Sequence, residues 1–228
     1  MDTLCIDIGG TGLKANVYDS TGTPRGDRVR VVTPKPATPA AILDAILAAA
    51  APLGAFDRIA VGYPGVVIEG VTRSAHNLDP AWIDFPLAAE LEKRTGKPAR
   101  VANDAGVQGL AVIEGAGTEL VITLGTGMGF ALYIDGRYVP NIEMAHHPFE
   151  KGKTYEERVG DAERKDIGNK RWRARVARVI AQLQPIFNYR KLYLGGGNAQ
   201  RLEKETLPEN ATVVENVAGL LGGLKLWQ

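Results

Sequence analysis

Two glycine-rich stretches of one design occur in the chain, and each stands between apolar runs. The first covers residues 7–12, with the sequence DIGGTG, and the second covers residues 123–129, with the sequence TLGTGMG. Apolar residues before and after a glycine turn favour a strand, a tight turn and a second strand. Glycine permits positive φ and a close backbone approach, so successive N–H groups can bind phosphate. The duplication predicts two related units, each with a phosphate-binding hairpin.

The residues around the two turns exclude the commoner glycine-loop motifs. Neither stretch ends in the Gly-Lys-Ser/Thr of the Walker A motif, and neither runs into a helix as the dinucleotide fingerprint requires. Residues 18–22 and 133–136 each resemble a second turn that leads to a third strand. Two ordinary hairpin turns are the alternative, and the repeated flanking pattern favours the phosphate interpretation.

Strands alternate with helices after the hairpin in both halves, which predicts an α/β fold with mixed sheets. The expected elements are strands at 4–8, 13–18, 27–32, 58–62, 99–102 and 191–194, helices near 40–51 and 86–95, a long helix after residue 164, and a short strand entering a terminal helix over 211–224. We expect domains at 1–105 and 106–228, with a ligand cleft between them and the terminal helix packed back on the N-terminal domain.

Composition limits the function classes. A net charge of +1 gives no argument for a nucleic-acid partner or an anionic membrane. The longest apolar run carries Asp44 and follows a Thr38-Pro39 helix start, which indicates a helix of a globular protein instead of a membrane span. Asp2 and Asp7 bracket the first strand without a signal-peptide pattern, which favours the cytoplasm. The single cysteine, Cys5, argues against a disulfide and a zinc site.

Asn103 and Asp104 follow a predicted strand, at the edge where open α/β sheets bind ligands. An Asn can hold a substrate hydroxyl while the neighbouring carboxylate accepts its proton, which is the pairing that a kinase needs. The alternative is that the two residues only cap a helix that begins at Ala105.

Three further segments carry polar chemistry. Glu143 and His146 are suited to pairing with sugar hydroxyls, although His146 and His147 could equally be surface loop residues. Gly195-Gly196-Gly197 could admit a base or phosphate to the backbone, or could simply be a strand-to-helix turn. The basic segment over 164–178 lies on a predicted amphipathic helix and offers either a polyanion-binding ridge or a solvated face balanced by acids such as Glu163 and Asp166. The ridge residues are Lys170, Arg171, Arg175 and Arg178.

Taken together, these motifs resemble the ROK family of sugar kinases, in the family's order and over nearly the whole chain. They are Asp7 to Thr11, Pro64-Gly65-Val66, Asn103-Asp104, Leu124 to Gly127, Glu143 with His146, and Gly195 to Gly197. The segments at 77–82, 139–143 and 170–172 are most similar to its polyphosphate glucokinase branch. The resemblance implies a two-domain actin-like (ribonuclease H-like) ATPase fold, a homodimer, and phosphorylation of a hexose, most simply glucose, from polyphosphate or ATP.

The resemblance also implies roles for individual residues. Asp104 would be the general base for the sugar 6-hydroxyl, and Asp7 would position Mg²⁺, directly or through water, with Lys14 reaching the donor phosphates. The sugar would be held by Gly65, Asn77, Asn103, Glu143, His146 and Glu156, the last by allowing one inserted residue. The phosphates would lie on Gly9, Gly10, Thr11, Gly12, Gly125, Thr126, Gly127, Gly196 and Gly197.

The chain departs from the family pattern at Ala145, where a glycine is usual, at Asn198 after the last glycine run, and in lacking the cysteine-rich zinc motif. These departures bear more on sugar identity than on the chemistry. The open alternatives are a kinase for mannose or an N-acetylated amino sugar, and a non-catalytic sugar or nucleotide sensor of the same fold.

Overall fold

The computed structural model describes residues 1–75, 78–214 and 220–228. It divides into unit 1, formed by Met1–Ala111 with Ala218–Gln228, and unit 2, formed by Val112–Val217. The expected boundary after residue 105 would cut a helix that spans Asp104–Leu110. That helix stays with unit 1 because its buried apolar side chains pack on the unit 1 sheet, so the first segment of unit 1 ends after Ala111.

Unit 1 is built on a five-stranded sheet with the order β3-β2-β1-β4-β7. Neighbours among the first three strands are antiparallel, whereas β4 is parallel to both β1 and β7. Its elements before the crossing into unit 2 are β1 (Thr3–Ile8), β2 (Gly12–Tyr18), β3 (Val29–Val32), α1 (Pro39–Ala50), β4 (Arg58–Tyr63), β5 (Val67–Ile68), β6 (Val71–Thr72), α2 (Leu87–Thr95), β7 (Ala99–Asn103) and α3 (Asp104–Leu110).

Unit 2 repeats this plan with a sheet of order β10-β9-β8-β13-β14. Its elements are β8 (Thr118–Leu124), β9 (Met128–Ile134), β10 (Arg137–Val139), β11 (Pro148–Glu150), β12 (Lys153–Thr154), α4 (Tyr155–Val159), α5 (Asp161–Phe187), β13 (Lys191–Gly195) and β14 (Ala211–Val213). The equal strand order is the internal repeat that the paired glycine turns predict. The chain then returns to unit 1 with α6 (Gly222–Lys225); the link expected between strand and terminal helix includes 215–219, outside the described residues.

The period-2 alternation of β1 assigns its side chains to two faces of the sheet. Leu4, Ile6 and Ile8 belong to the apolar cluster that includes α1. Cys5 lies on the other face, in a second apolar cluster with Ala60 and Leu220. Helix α6 packs against this face. Asp7 shares this second face with Cys5, and α3 packs on the same side of β4 as α6.

Two glycines let α6 come close to the unit 1 sheet. A Cβ atom on Gly222 would overlap the carbonyl oxygen of Val107, and one on Gly223 would lie 3.0 Å from Cys5 Sγ. Beyond the helix, the Arg100 guanidinium lies 4.5 Å from the ring centroid of Trp227. The last residues are therefore an integral part of unit 1.

The long helix α5 differs from the prediction in its start and its continuity. It begins at Asp161, and Gly168 interrupts it with φ 78° and ψ 158°. The residues after the break bury Trp172, Val176 and Leu183 against the unit 2 core. In the described part of the chain, no helix combines the length and the apolar character needed to cross a membrane.

Candidate functional site

The β1–β2 turn is a compact loop closed by its own backbone. Gly9 N donates to Gly12 O at 3.1 Å, and Thr33 Oγ1 donates to Gly9 O at 2.6 Å, while Gly10 and Thr11 remain exposed. The expectation of positive φ in this turn is wrong for Gly9 and Gly12. Glycine is needed at position 9 for another reason, because a Cβ atom there would lie 2.8 Å from Gly12 O.

Asp7 and Lys14 face each other across the two strands that enter and leave this turn. Lys14 Nζ lies 3.0 Å from Asp7 Oδ2, and the carboxylate is almost fully buried whereas the lysine side chain is about 39% exposed. The ammonium compensates the buried carboxylate, and its exposed part remains available to an anion. The hairpin thus places one charge of each sign beside an open glycine turn.

Asn103 caps helix α3, as the alternative interpretation of the Asn103-Asp104 pair predicted. Its Oδ1 accepts from Gly106 N at 3.2 Å, and its Nδ2 donates to Gly65 O at 3.2 Å. Gly65 is itself confined, because a Cβ atom there would lie 2.8 Å from Ser74 Oγ. The amide therefore ties α3 to the loop after β4, and one N–H of that amide can still serve a ligand. Asn77, expected nearby, lies outside the described residues.

Asp104 opens α3 next to a residue that the sequence reasoning missed. Gly62 pairs with Asp7 in the parallel register, on the sheet face that Asp7 shares with Cys5. A Cβ atom on Gly62 would lie 3.3 Å from the Cα atom of Asp104. The absence of a side chain at Gly62 lets the start of α3 approach the sheet, so Asp7 and Asp104 flank the same glycine. A glycine inside an apolar strand is the signal that could have indicated this approach.

The β8–β9 turn has the same closure, with Gly125 N donating to Gly127 O at 3.0 Å. Its glycines also lack positive φ. Gly127 is required because a Cβ atom there would overlap the Glu156 carboxylate, whose Oε2 accepts from Met128 N at 3.3 Å. Gly125 O accepts from Asp161 N at 3.1 Å. This turn is therefore covered by α4 and by the start of α5.

Glu143 and His146 lie on one helical turn, with His146 Nε2 3.5 Å from Glu143 Oε2. Both side chains are about one-third exposed. Helix α4, which carries Glu156 and begins with a Thr154–Glu157 capping box, packs against this turn. The helix that carries Glu156 thus packs against the turn that carries Glu143 and His146, the other two unit 2 residues that the resemblance assigns to the sugar.

Gly196 adopts the left-handed conformation that was expected in the two turns, with φ 85°. A Cβ atom there would overlap the backbone of Leu124, the last residue of β8. The next residues begin a short helical turn, so this segment is the strand-to-helix turn of the alternative interpretation. Asn198 follows, and its Nδ2 donates to Gly125 O at 3.2 Å and to Asp161 Oδ1 at 3.0 Å.

Asp161 is a second residue that the sequence reasoning missed. Its carboxylate contacts Lys165 Nζ at 2.8 Å and Arg164 Nη2 at 2.7 Å. Hydrogen bonds from Lys165 first, and then from Arg164 and Asn198, hold the pKa of Asp161 well below its usual range. These residues line a pocket of about 420 Å³ beside Gly125 and Thr126. The sequence assigned Arg164 and Lys165 to a continuous basic helix because it gave no sign of the break at Gly168.

The predicted basic ridge is wrong for Arg175, while Arg178 matches the alternative of a solvated face balanced by an acid. Arg175 is largely buried and pairs with Glu163 and with Glu150, the latter at 3.2 Å, and Arg178 contacts Glu150 at 2.8 Å. The hydrogen bond from Arg175 is the main cause that lowers the pKa of Glu163. These cations fasten α5 to β11 and α4. Lys170 and Arg171 are exposed and form no ion pair with the described residues.

Comparisons with known proteins agree with this geometry. The model of the ROK family matches residues 3–146. A polyphosphate glucokinase of Mycobacterium tuberculosis strain CDC 1551 is 35% identical over 237 residues, which cover 95% of this chain and 88% of that protein. An N-acetylmannosamine kinase of Escherichia coli strain SE11 is 38% identical over 144 residues, covering 60% of this chain and 49% of that protein. The crystal structure of an inorganic polyphosphate/ATP-glucomannokinase from Arthrobacter sp. strain KM is 32% identical, with a TM-score of 0.87 over 100% of this chain and 99% of that one.

Proposed function

The chain belongs to the ROK family, and on this premise we propose that it is a hexose kinase that phosphorylates the 6-hydroxyl of glucose from polyphosphate, ATP or both. The family and the actin-like fold expected from the sequence are confirmed. The observation that carries the proposal is the juxtaposition of Asp104 and Asp7 around Gly62. Asp104 opens α3 against Gly62, and Asp7 of the hairpin pairs with that glycine, so both acids that phosphoryl transfer to an alcohol requires adjoin the same residue.

Asp104 would accept the proton of the sugar 6-hydroxyl as the oxygen attacks the terminal phosphorus of the donor. The bond between that phosphorus and its bridging oxygen breaks, and the shortened donor leaves with the bond's electron pair. The backbone at the start of α3 is fixed by the Asn103 cap and by its approach to Gly62, and Asp104 Oδ1 accepts from Ala105 N at 2.7 Å, so the base is oriented before the substrate arrives. Such positioning supplies much of the rate enhancement in phosphoryl transfer.

The Asp7 carboxylate is an oxygen ligand of the kind that Mg²⁺ prefers. The described residues contain no group of three or more His, Cys, Asp or Glu side chains that could hold a metal. Mg²⁺ does not need one, since it commonly takes one or two carboxylates and completes its shell with water and substrate phosphates. When bound, the ion would neutralise charge on the donor phosphates. Lys14, which contacts Asp7 in this structure, would bind the same phosphates through its exposed ammonium.

The remaining roles follow the groups that each unit presents. In unit 1, Gly65 and the second N–H of the Asn103 amide would contact sugar hydroxyls, and the exposed Gly10 and Thr11 would bind phosphate. In unit 2, Glu143, His146 and Glu156 would pair with further hydroxyls, while Gly125 to Gly127 and Gly197 would contact the donor. Gly196 would contribute by letting the chain pass close to Leu124, since a Cβ atom at this position would overlap the Leu124 backbone.

The resemblance further supports a cytoplasmic homodimer as part of the proposal. Light scattering coupled to size exclusion tests the assembly, because a dimer has twice the 24.4 kDa mass of the chain.

An N-acetylated amino sugar is the second candidate substrate. The partial match to an N-acetylmannosamine kinase favours it, although that match covers less of the chain than the polyphosphate glucokinase match. Ala145, which stands where the family usually has glycine, is buried beside His146. The shape of the sugar site would therefore differ from the common family pattern at this point.

The test is a phosphorylation assay with glucose, mannose and N-acetylmannosamine, each run with ATP and with long-chain polyphosphate. We expect glucose to be phosphorylated, and Asp104→Asn to lower kcat by about 10²- to 10⁴-fold while glucose binding stays measurable by calorimetry. Asp44→Asn, at an exposed acid of α1, is the matched control. Normal turnover by Asp104→Asn would refute the assigned base. Absence of turnover with every sugar and donor would instead favour the non-catalytic sensor.

A further inference from the structure

A polar pocket of about 420 Å³ lies within unit 2, where the β8–β9 turn meets the start of α5 and the segment after β13. Its floor includes Gly125, which the resemblance assigns to the donor phosphate. The complete lining is Gly125, Thr126, Asp161, Arg164, Lys165, Gly197, Asn198 and Arg201. The pocket thus includes two residues of the phosphate turn of unit 2, Gly125 and Thr126.

The charge of this pocket is positive. Arg164, Lys165 and Arg201 supply three cations, and Asp161 is the one acid in the lining. Arg164 is held by Asp161 and by Asn169 Oδ1 at 2.9 Å, and its side chain is only 12% exposed. Its guanidinium therefore contributes a fixed charge at the pocket wall.

Lys165 and Arg201 are placed differently from Arg164. The Lys165 side chain is about 70% exposed, so its ammonium can leave Asp161 for a phosphate oxygen at little cost in packing. Arg201 is exposed, and its guanidinium has no ion pair with the described residues. Two exposed cations and one cation held by hydrogen bonds, all lining one pocket, form a path for a flexible polyanion.

The lining also argues against a nucleoside. Sites for planar cofactor rings are mostly apolar, with a few polar groups that fix orientation. Among the described residues that line this pocket, none is aromatic and none carries a large aliphatic side chain. A polyphosphate chain needs no such surface, because each of its units presents only charged oxygens.

We infer that this pocket binds the polyphosphate chain beyond the phosphate that is transferred, with Lys165 and Arg201 as its contacts and Arg164 as a fixed charge held by Asp161. The inference rests on the proposed function and assigns the donor class to that site. It also replaces the basic ridge of α5. Gly168 breaks the helix between Lys165 and that ridge, and Arg175 in the ridge is buried against Glu163 and Glu150.

The experiment compares two double variants by their kinetics with glucose. Lys165→Gln with Arg201→Gln removes the two exposed cations. Lys204→Gln with Arg137→Gln removes one exposed lysine and one exposed arginine of unit 2 outside the pocket. We expect the first pair to raise KM for long-chain polyphosphate by about 10-fold or more and KM for ATP by less than about threefold, with kcat little changed. The control pair should leave both KM values unchanged.

Binding of long-chain polyphosphate without sugar supplies a readout independent of turnover. Displacement of a fluorescent polyanion at increasing salt should show weaker binding and a shallower salt dependence for the pocket variant, since two phosphate contacts are lost. Equal increases of KM for both donors would overturn the inference, as would an effect confined to Lys170→Gln with Arg171→Gln. Absence of glucose phosphorylation with both polyphosphate and ATP in the unmodified protein would contradict the proposed function itself, so the two failures are distinguishable.

Discussion

The β1–β2 turn of unit 1 and the β8–β9 turn of unit 2 occupy the same position in two sheets of equal strand order. The first has charge on its own strands, since Asp7 and Lys14 pair across the hairpin. The second has no charged residue from 123 to 129, and its polar groups come from Glu156, Asp161 and Asn198. The polar groups at the turn thus come from the hairpin strands themselves in unit 1, and from segments later in the chain in unit 2.

The register makes this comparison specific. Asp7 of β1 corresponds to Thr123 of β8, since each lies one pair before the hairpin closes and each is paired with a glycine on the parallel strand. Those glycines are Gly62 and Gly195. The repeat therefore fixes where a side chain is presented, while the residue at that position decides which unit handles charge. Paired substitutions at corresponding positions can test this division.

The largest difference is expected between Asp7→Asn and Thr123→Val. Asp7→Asn removes the carboxylate beside the donor phosphates and should lower kcat by about 10²-fold or more. Thr123→Val, at the corresponding position of unit 2, should change kcat by less than about threefold, because no charge is lost. Steady-state kinetics at saturating Mg²⁺ measure both. Comparable losses in the two variants would break the proposed division of charge between the hairpins.

The next effect concerns why each turn needs glycine. Gly127→Ala and Gly9→Ala should each cost about 1–3 kcal/mol of unfolding free energy, because the new methyl group meets occupied space. In a Glu156→Ala background the cost of Gly127→Ala should fall below about 0.5 kcal/mol, since its clash is with the Glu156 side chain. Gly9→Ala should cost the same in both backgrounds, because its clash is with Gly12 O. Urea unfolding of Glu156→Ala and of the two glycine variants in both backgrounds gives these values, and a lower cost of Gly9→Ala in the Glu156→Ala background would contradict the explanation.

A smaller effect is expected for the glycines on the parallel strands. Gly62→Ala would press on the start of α3 at Asp104 and should lower kcat by about 10-fold, because a shift of a few tenths of an ångström misplaces the base. Gly195→Ala would meet Val214 Cγ2 at an ordinary 3.6 Å and should be tolerated. Glucose affinity measured alongside turnover separates misplacement from loss of the site. Equal activity of the two variants would show that Gly62 does not position Asp104.

The smallest effect concerns the side chains that hold the two turns, which are Asp161 at the β8–β9 turn and Thr33 at the β1–β2 turn. Asp161 has a lowered pKa in the folded state, so its stabilisation is present above the unfolded-state value of 3.8 and is lost as the pH falls below it. The gap in melting temperature between the unmodified protein and Asp161→Asn should therefore narrow from pH 6 to pH 3. Thr33→Val removes a neutral hydrogen bond to Gly9 O and should cost about 1 kcal/mol at every pH. Thermal scans across that pH range measure both effects. A constant gap in melting temperature for Asp161→Asn would refute stabilisation by the ionised Asp161 carboxylate.

Local sequence pattern was sufficient for the features that depend on neighbouring residues. The apolar alternation of β1 and β8 and the glycines between strands predicted both hairpins, and the strand end at Asn103 predicted where a polar pair is presented. The helix break at Gly168 was not predictable, because a single glycine is tolerated within many helices. The family resemblance supplied the roles of Asp7, Asp104 and the sugar-binding residues, which stay predictions.

Features that depend on distant segments were not predictable. The Glu156 carboxylate over Gly127 and the Asp104 approach to Gly62 arise from packing between elements far apart in the chain. Arg175 looked like a solvated cation, yet helix packing buries it against Glu163 and Glu150. The positive φ expected in the turns occurs at Gly196 instead, where the chain must pass the backbone of Leu124. A one-dimensional pattern carries no information about such neighbours.

The return of α6 to unit 1 has a consequence for the order in which the protein is made. The face of the first sheet that carries Cys5 and Ala60 is covered by Leu220 and by the close approach of Gly223. During synthesis from the N-terminus, these residues emerge only after the whole of unit 2. Until unit 2 has been translated, this apolar face of unit 1 therefore lacks the part of its cover that Leu220 and Gly223 supply.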